Sequence, residues 1–182
     1  MTVRPLRMFG DPILRQRAVE VEDFDRSIRR LVEDLEDTMM DENGAGLAAP
    51  QIGVGLRIFV YGVDDEESED HMTVRHIINP VLVEQSKEEI EDDEGCLSIP
   101  GVVYELPRPR RVVAQGFDLH GEPLEVVGTD RIARALAHET DHLDGILFVD
   151  RLDKERRKEA LREIRLMLLE GEEIKVKESP HA

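Results

Sequence analysis

The chain has 182 residues, 40% hydrophobic and 36% charged, with 24 Lys+Arg against 41 Asp+Glu for a net charge of −17. That size fits one ordinary domain with a real core, and the acidic balance argues against broad, non-specific binding to nucleic acid. One cysteine, Cys96, excludes an intramolecular disulfide. A lone thiol suits a reducing compartment, where it serves as core filler, nucleophile or metal ligand.

Met1–Asp11 has no apolar core and is not expected to act as a secretory signal. No stretch approaches the roughly 20 apolar residues a membrane helix needs, so the expected location is the cytoplasm. The first 22 residues read as irregular, with a turn at Gly10-Asp11-Pro12. Asp25 is placed to cap a helix over about Arg26–Met40, in which Ile28, Leu31, Val32, Leu35 and Met39 repeat at helical spacing. Asn43–Gly55, rich in Gly and Ala, reads as a loop, and Leu56–Val63 as a strand.

Asp64–Asp70 is an acidic run expected to be a solvated loop. Arg75–Glu84 is strand-like, and a second acidic run, Glu88–Glu94, leads into Gly95-Cys96-Leu97-Ser98-Ile99-Pro100-Gly101. Arg111–Leu119 and Pro123–Val127 flank His120-Gly121 as a hairpin. Thr129 is the expected cap of a helix running from Asp130 to about Asp144, with Gly145 as its stop. Asp153–Glu170 reads as a final helix with Leu161, Ile164 and Leu168 on one face, and residues 171–182 as a mobile tail. Strands followed by helices, with no repeat or linker, predict an α+β fold in a single domain spanning 1–182.

The chemistry concentrates in His138-Glu139-Thr140-Asp141-His142. Residues four apart on a helix share a face one turn apart, so two imidazoles can meet one metal ion. Glu139, beside the first of them, can act as proton carrier. A catalytic site of this type needs a third protein ligand and one open position. No downstream His offers itself except His181 near the chain end. Asp144, Asp150, Asp153 and Glu159 are formal candidates, and so is Cys96 upstream. Asp141 either orients a ligand or makes an ordinary salt bridge. His71, His76, His120 and His181 lack partner spacing and read as incidental.

Three segments taken together resemble the peptide deformylase family. They are Gly44-Ala45-Gly46-Leu47-Ala48-Ala49-Pro50-Gln51, Glu94-Gly95-Cys96-Leu97-Ser98, and His138 to His142 followed by Leu143-Asp144-Gly145. Many members carry Gln where this chain has Ala137. The resemblance implies antiparallel β-sheets packed around a central metal-binding helix, with a C-terminal helix. It implies one divalent metal ion held by Cys96, His138 and His142: ferrous iron in the cell, with zinc, nickel or cobalt able to replace it in purified protein. The implied reaction removes the formyl group from the N-terminal formylmethionine of new polypeptides. In it Glu139 moves the proton, while the Gln51 amide and the Leu97 backbone N–H face the developing oxyanion.

Ala135, one turn before His138, is an expected wall for the methionine side chain, with Tyr104 and Leu106 as further candidates. Ala45 and Gly46 are placed to line the entrance, the two glycines of that loop allowing backbone close to a ligand. Arg151–Arg165 holds seven basic and four acidic residues, a local excess of positive charge in an acidic chain. The resemblance implies ribosome docking through this helix, and the chain is expected to be a monomer.

Overall fold

A computed structural model describes residues 2–65 and 72–170. The expected mobile tail at 171–182, most of the first acidic run, His71 and His181 lie outside the described residues. The fold is α+β, with three α-helices, seven strands and three short 3-10 turns among the described residues.

Helix α1 (Arg26–Asp41) starts where the Asp25 carboxylate accepts hydrogen bonds from the Ser27 and Ile28 amides at 2.8 and 3.3 Å. Its buried stripe of Ile28, Val32, Leu35 and Met39 packs on Leu47, Ile58, Val60 and Ile78 of the main sheet. That sheet is antiparallel throughout. Strands β1 (Gly46–Ala48), β2 (Ile58–Asp64), β3 (Met72–Gln85), β6 (Arg111–Phe117) and β7 (Pro123–Thr129) lie in the order β1-β2-β3-β6-β7. Strands β4 (Glu89–Cys96) and β5 (Ile99–Pro109) form a separate hairpin.

Helix α2 (Asp130–Leu143) lies between the two sheets and buries Ala133, Leu136 and Leu143 against Phe59, Ile77 and Ala114. Helix α3 (Lys154–Glu170) seals the open side of the β4–β5 hairpin by burying Ala160 and Ile164 with Leu106 and Phe148.

Several local expectations change. The loop expected over Asn43–Gly55 contains β1 and a 3-10 turn, Ala49–Ile52. The second acidic run is a strand: Glu89, Glu91 and Asp93 point into solvent while Glu94 turns inward. Its partner β5 went unread because prolines interrupt its pattern. Val102, Leu106 and Arg108 are buried at alternate positions, and Pro107 falls on an exposed one. Thr129 holds the N-cap position of α2 but its side chain makes no capping bond; the Asp130 amide donates instead to the Arg110 carbonyl at 2.8 Å. Gly145 does end the helix, at φ 73°, where a side-chain carbon would lie 2.7 Å from the Arg15 backbone. In α3, Leu168 is exposed rather than packed beside Ile164.

Candidate metal centre

Helix α2 carries His138 and His142 one turn apart, and the end of β4 brings Cys96 to meet them. Their ligand atoms all lie within 4.8 Å of one another. Cys96 Sγ is 3.2 Å from His142 Nε2, which is 3.2 Å from His138 Nε2. Donors bound tetrahedrally at metal distances of about 2.0–2.3 Å lie roughly 3.3–3.6 Å apart, so the spacing and donor types suit one zinc- or ferrous-type cation. The downstream carboxylates take other partners: Asp144 pairs with Arg57, Asp150 with Arg15 and Arg157, and Asp153 caps α3. Glu159 is exposed.

The two histidines are oriented differently. His138 Nδ1 bonds the Glu94 carboxylate at 2.7 Å, which turns Nε2 toward the thiol. Glu94 is gripped in turn by Arg108 through two bonds of 2.9 and 2.6 Å and by Arg134 at 2.8 Å. Burial alone would raise the Glu94 pKa, but Arg108 and His138 outweigh it and hold the carboxylate well below its usual range. Among the described residues the Asp141 carboxylate makes no hydrogen bond to either histidine. It accepts from Arg108 at 2.8 Å and from Arg151 at 2.6 and 3.1 Å, so the partner of the metal-side imidazole is Glu94 and not Asp141.

Glu139 is 3% exposed. Among the described residues its Oε2 has no hydrogen-bond partner, nor does Nδ1 of His142. Burial pushes the Glu139 pKa up to about 7, against the lowering pull of His138. Burial also lowers His142, reinforced by His138. His138 itself titrates well above normal because its bonds to Cys96 and Glu94 overcome burial.

Gly46 makes room for the carboxyl: a side-chain carbon there would sit 2.5 Å from Glu139 Oε1. Gln51 is buried, its Oε1 accepting from the Ala48 amide at 2.8 Å. Its Nε2 donates to Ser98 Oγ at 3.2 Å and points at Cys96 Sγ, 3.6 Å away. The N-terminal segment ties the two loops together, Arg7 N–H donating to the Gln51 carbonyl and Phe9 N–H to that of Ser98. Leu97 packs beside Gly44, where a side-chain carbon would lie 2.8 Å from its Cδ1.

Ala45 is exposed at the rim and Ala135 is half-buried beside the core cluster of Ala48 and Phe59. Tyr104 turns its hydroxyl to Glu163 of α3, 3.3 Å away, and Leu106 is wholly within the cluster under that helix. His76 and His120 lie outside the cluster. Sequence reasoning assigned no role to Glu94, Arg108 or Ser98. Glu94 and Ser98 flank Cys96 within one motif, which was the available signal; Arg108 stands in a Pro-Arg-Pro-Arg-Arg stretch that gave none.

A thiol and two imidazoles around one point, with an unpartnered buried carboxyl beside them, define a mononuclear metallohydrolase. The sequence profile described as Polypeptide deformylase matches residues 3–158. A peptide deformylase of Acidothermus cellulolyticus is 54% identical over 181 residues, covering 100% of this chain and 96% of that one. Another, from Parafrankia sp., is 53% identical over 182 residues, covering 100% of this chain and 96% of the relative. The crystal structure of peptide deformylase from Thermus thermophilus superposes with a TM-score of 0.84 at 41% identity, over 93% of this chain and 97% of that one. The chain belongs to the polypeptide deformylase family. Its activity is therefore the metal-dependent hydrolytic removal of the formyl group from N-terminal formylmethionine.

Proposed function

We propose that Cys96, His138 and His142 together hold a single divalent cation, ferrous iron in the cell, with zinc, nickel or cobalt substituting in purified protein. The observation that carries this reading is the meeting of one sulfur and two imidazole nitrogens within 4.8 Å, beside a buried carboxyl oxygen that has no hydrogen-bond partner among the described residues. When bound, the cation supplies Lewis acidity, which brings the pKa of water down toward neutrality.

The remaining work belongs to the chain. Glu139 accepts a proton from water as the oxygen attacks the formyl carbon. A carboxyl pushed up to about 7 is matched to both halves of that exchange near neutral pH. The Gln51 side-chain amide and the Leu97 backbone N–H donate to the oxyanion that develops; removing one such donor typically costs about 10²–10³ in rate. Glu139 then delivers the proton to the leaving nitrogen, and formate and a free N-terminal methionine result. Ala45, Gly46 and Ala135 line the substrate path, with Tyr104 farther out. Glu94, set by Arg108, keeps His138 in the tautomer that presents Nε2.

The wider reading is of a one-domain, monomeric, cytoplasmic enzyme that meets nascent chains at the ribosome through α3. No helix among the described residues is long and apolar enough to cross a membrane. The test is formate release from a formyl-Met peptide by anaerobically purified protein with its metal content measured. Activity should track the bound metal and vanish on chelation. Full turnover by metal-free protein would refute the reading.

A further inference from the structure

A second concavity opens on a different face of α2. The metal-binding stripe of the helix is His138 and His142, whereas Ala137, Thr140, Asp141 and Asp144 occupy the neighbouring stripe and floor a cleft of about 620 Å3 between β3 and β5. None of Cys96, His138, His142, Glu139 or Gln51 lines it. The volume lies within the range typical of small-molecule sites, roughly 300–1,000 Å3. One part of the wall is apolar, formed by Pro80, Val81, Leu82, Leu106, Pro107 and Pro109. The other part is cationic, formed by Arg17, Arg57, Arg108 and Arg151.

The charges there do not balance internally. Asp141 is shared between Arg108 and Arg151, while Arg108 and Arg134 also share Glu94. Asp144 is held by the buried Arg57 at 2.7 Å and stands 3.8 Å from Arg17. Arg134 and Glu94 lie outside the cleft, whose own wall holds four arginines against three carboxylates, Asp141, Asp144 and the exposed Glu89. Arg57 is fully engaged, donating also to the Leu143 and Pro80 carbonyls. Arg17, with a side chain 78% exposed, makes no hydrogen bond among the described residues, and Arg151 uses Nε and Nη2 on Asp141 and leaves Nη1 without a partner. Free guanidinium donors beside an apolar wall offer an anion charge-assisted contacts in a molecule of net charge −17.

We propose that this cleft binds a small amphipathic anion, an apolar chain bearing a carboxylate or phosphate head, with the head on Arg17 and Arg151 and the chain along Val81, Leu82 and Pro107. The site is separate from the metal centre and does not depend on the deformylation reading. The test is a 1H–15N NMR titration of the full zinc-loaded chain with octanoate and with octyl phosphate, run beside the formate-release assay. Saturable shifts at Val81, Leu82, Thr140 and Asp144, with affinity in the millimolar range or tighter, are expected for one or both ligands. Arg17→Glu should weaken binding about tenfold or more, as loss of a charge-assisted contact does, and Val81→Glu should weaken it too. Both positions are exposed, so both variants should fold and release formate at the normal rate. Shifts confined to Gly46, Gln51 and Leu97, no saturation by either ligand, or unchanged affinity in Arg17→Glu would overturn the proposal.

Discussion

At position 139 a carboxyl group is buried almost completely, and one of its oxygens finds no donor among the described residues. A folded-state pKa raised from 4.5 to about 7 means that folding favours the protonated form. In the metal-free protein the stability this group subtracts therefore grows as pH rises from about 4.5 to about 7 and stays subtracted above that. Glu139→Gln removes the charge and keeps the shape. It should lower kcat by about 10²–10⁴-fold and, in the metal-free protein above pH 7, raise the melting temperature relative to the parent. Thermal melts at pH 5 and pH 8 check the sign, since the gain should be much smaller at the lower pH. At this scale the meeting of His138 and His142, with Glu139 beside them, was legible from helical spacing, whereas Cys96 stood among several candidates until the resemblance singled it out. The partner of His138 was not legible. Glu94 and Arg108 reach the site only through strand pairing, and Asp141, the acid closest in sequence, faces the arginines instead.

The β4–β5 hairpin and the two helices it touches form the next scale. Arg108 bridges Glu94 on β4 and Asp141 on α2, so a buried ion-pair network fixes the hairpin that bears Cys96 against the helix that bears the histidines. Removing one partner from such a network typically costs about 3–5 kcal/mol. Glu94→Gln should lose stability of that order at pH 7. The depressed Glu94 pKa gives a contribution fully present above about pH 4.5 and lost as pH falls through the lower folded-state value. The parent's melting temperature should therefore drop in acid more steeply than the variant's, and the two should converge there. Parallel melting curves down to pH 2 would contradict the assignment.

Helix α3 makes a different prediction. Its Ala160 and Ile164 are buried, while Lys158, Arg162 and Arg165 are exposed and form no ion pair among the described residues. Reversing those three charges to Glu should abolish co-sedimentation with ribosomes and leave turnover of a free formyl-Met peptide unchanged. Retained co-sedimentation would overturn the proposed docking through this helix. The β4–β5 strands were the elements hardest to read, since acidic residues and prolines are poor strand formers; Glu94 is paired by Arg108 and Glu91 by Arg156 of α3, while Asp93 faces Glu105 on the partner strand.

Over the whole molecule, the architecture is two β-layers folded about one helix, and that helix is where a loop, a hairpin turn and the chain's N-terminal segment converge. The class of fold was readable from strands followed by helices, and the convergence was readable only through the three motifs that resemble a known family. No periodicity links Gln51, Cys96 and His138 along the chain; their meeting is a property of sheet order and of the bonds from Arg7 and Phe9 to the two loops. The proposed grouping of Cys96, His138 and His142 about one cation is tested most directly by the ligand shell of the bound ion. X-ray absorption fine structure on the zinc-loaded protein should resolve one sulfur at about 2.3 Å and two imidazole nitrogens at about 2.0–2.1 Å, with a light-atom scatterer completing the shell. A zinc shell without sulfur, or one closed by four protein ligands, would contradict it.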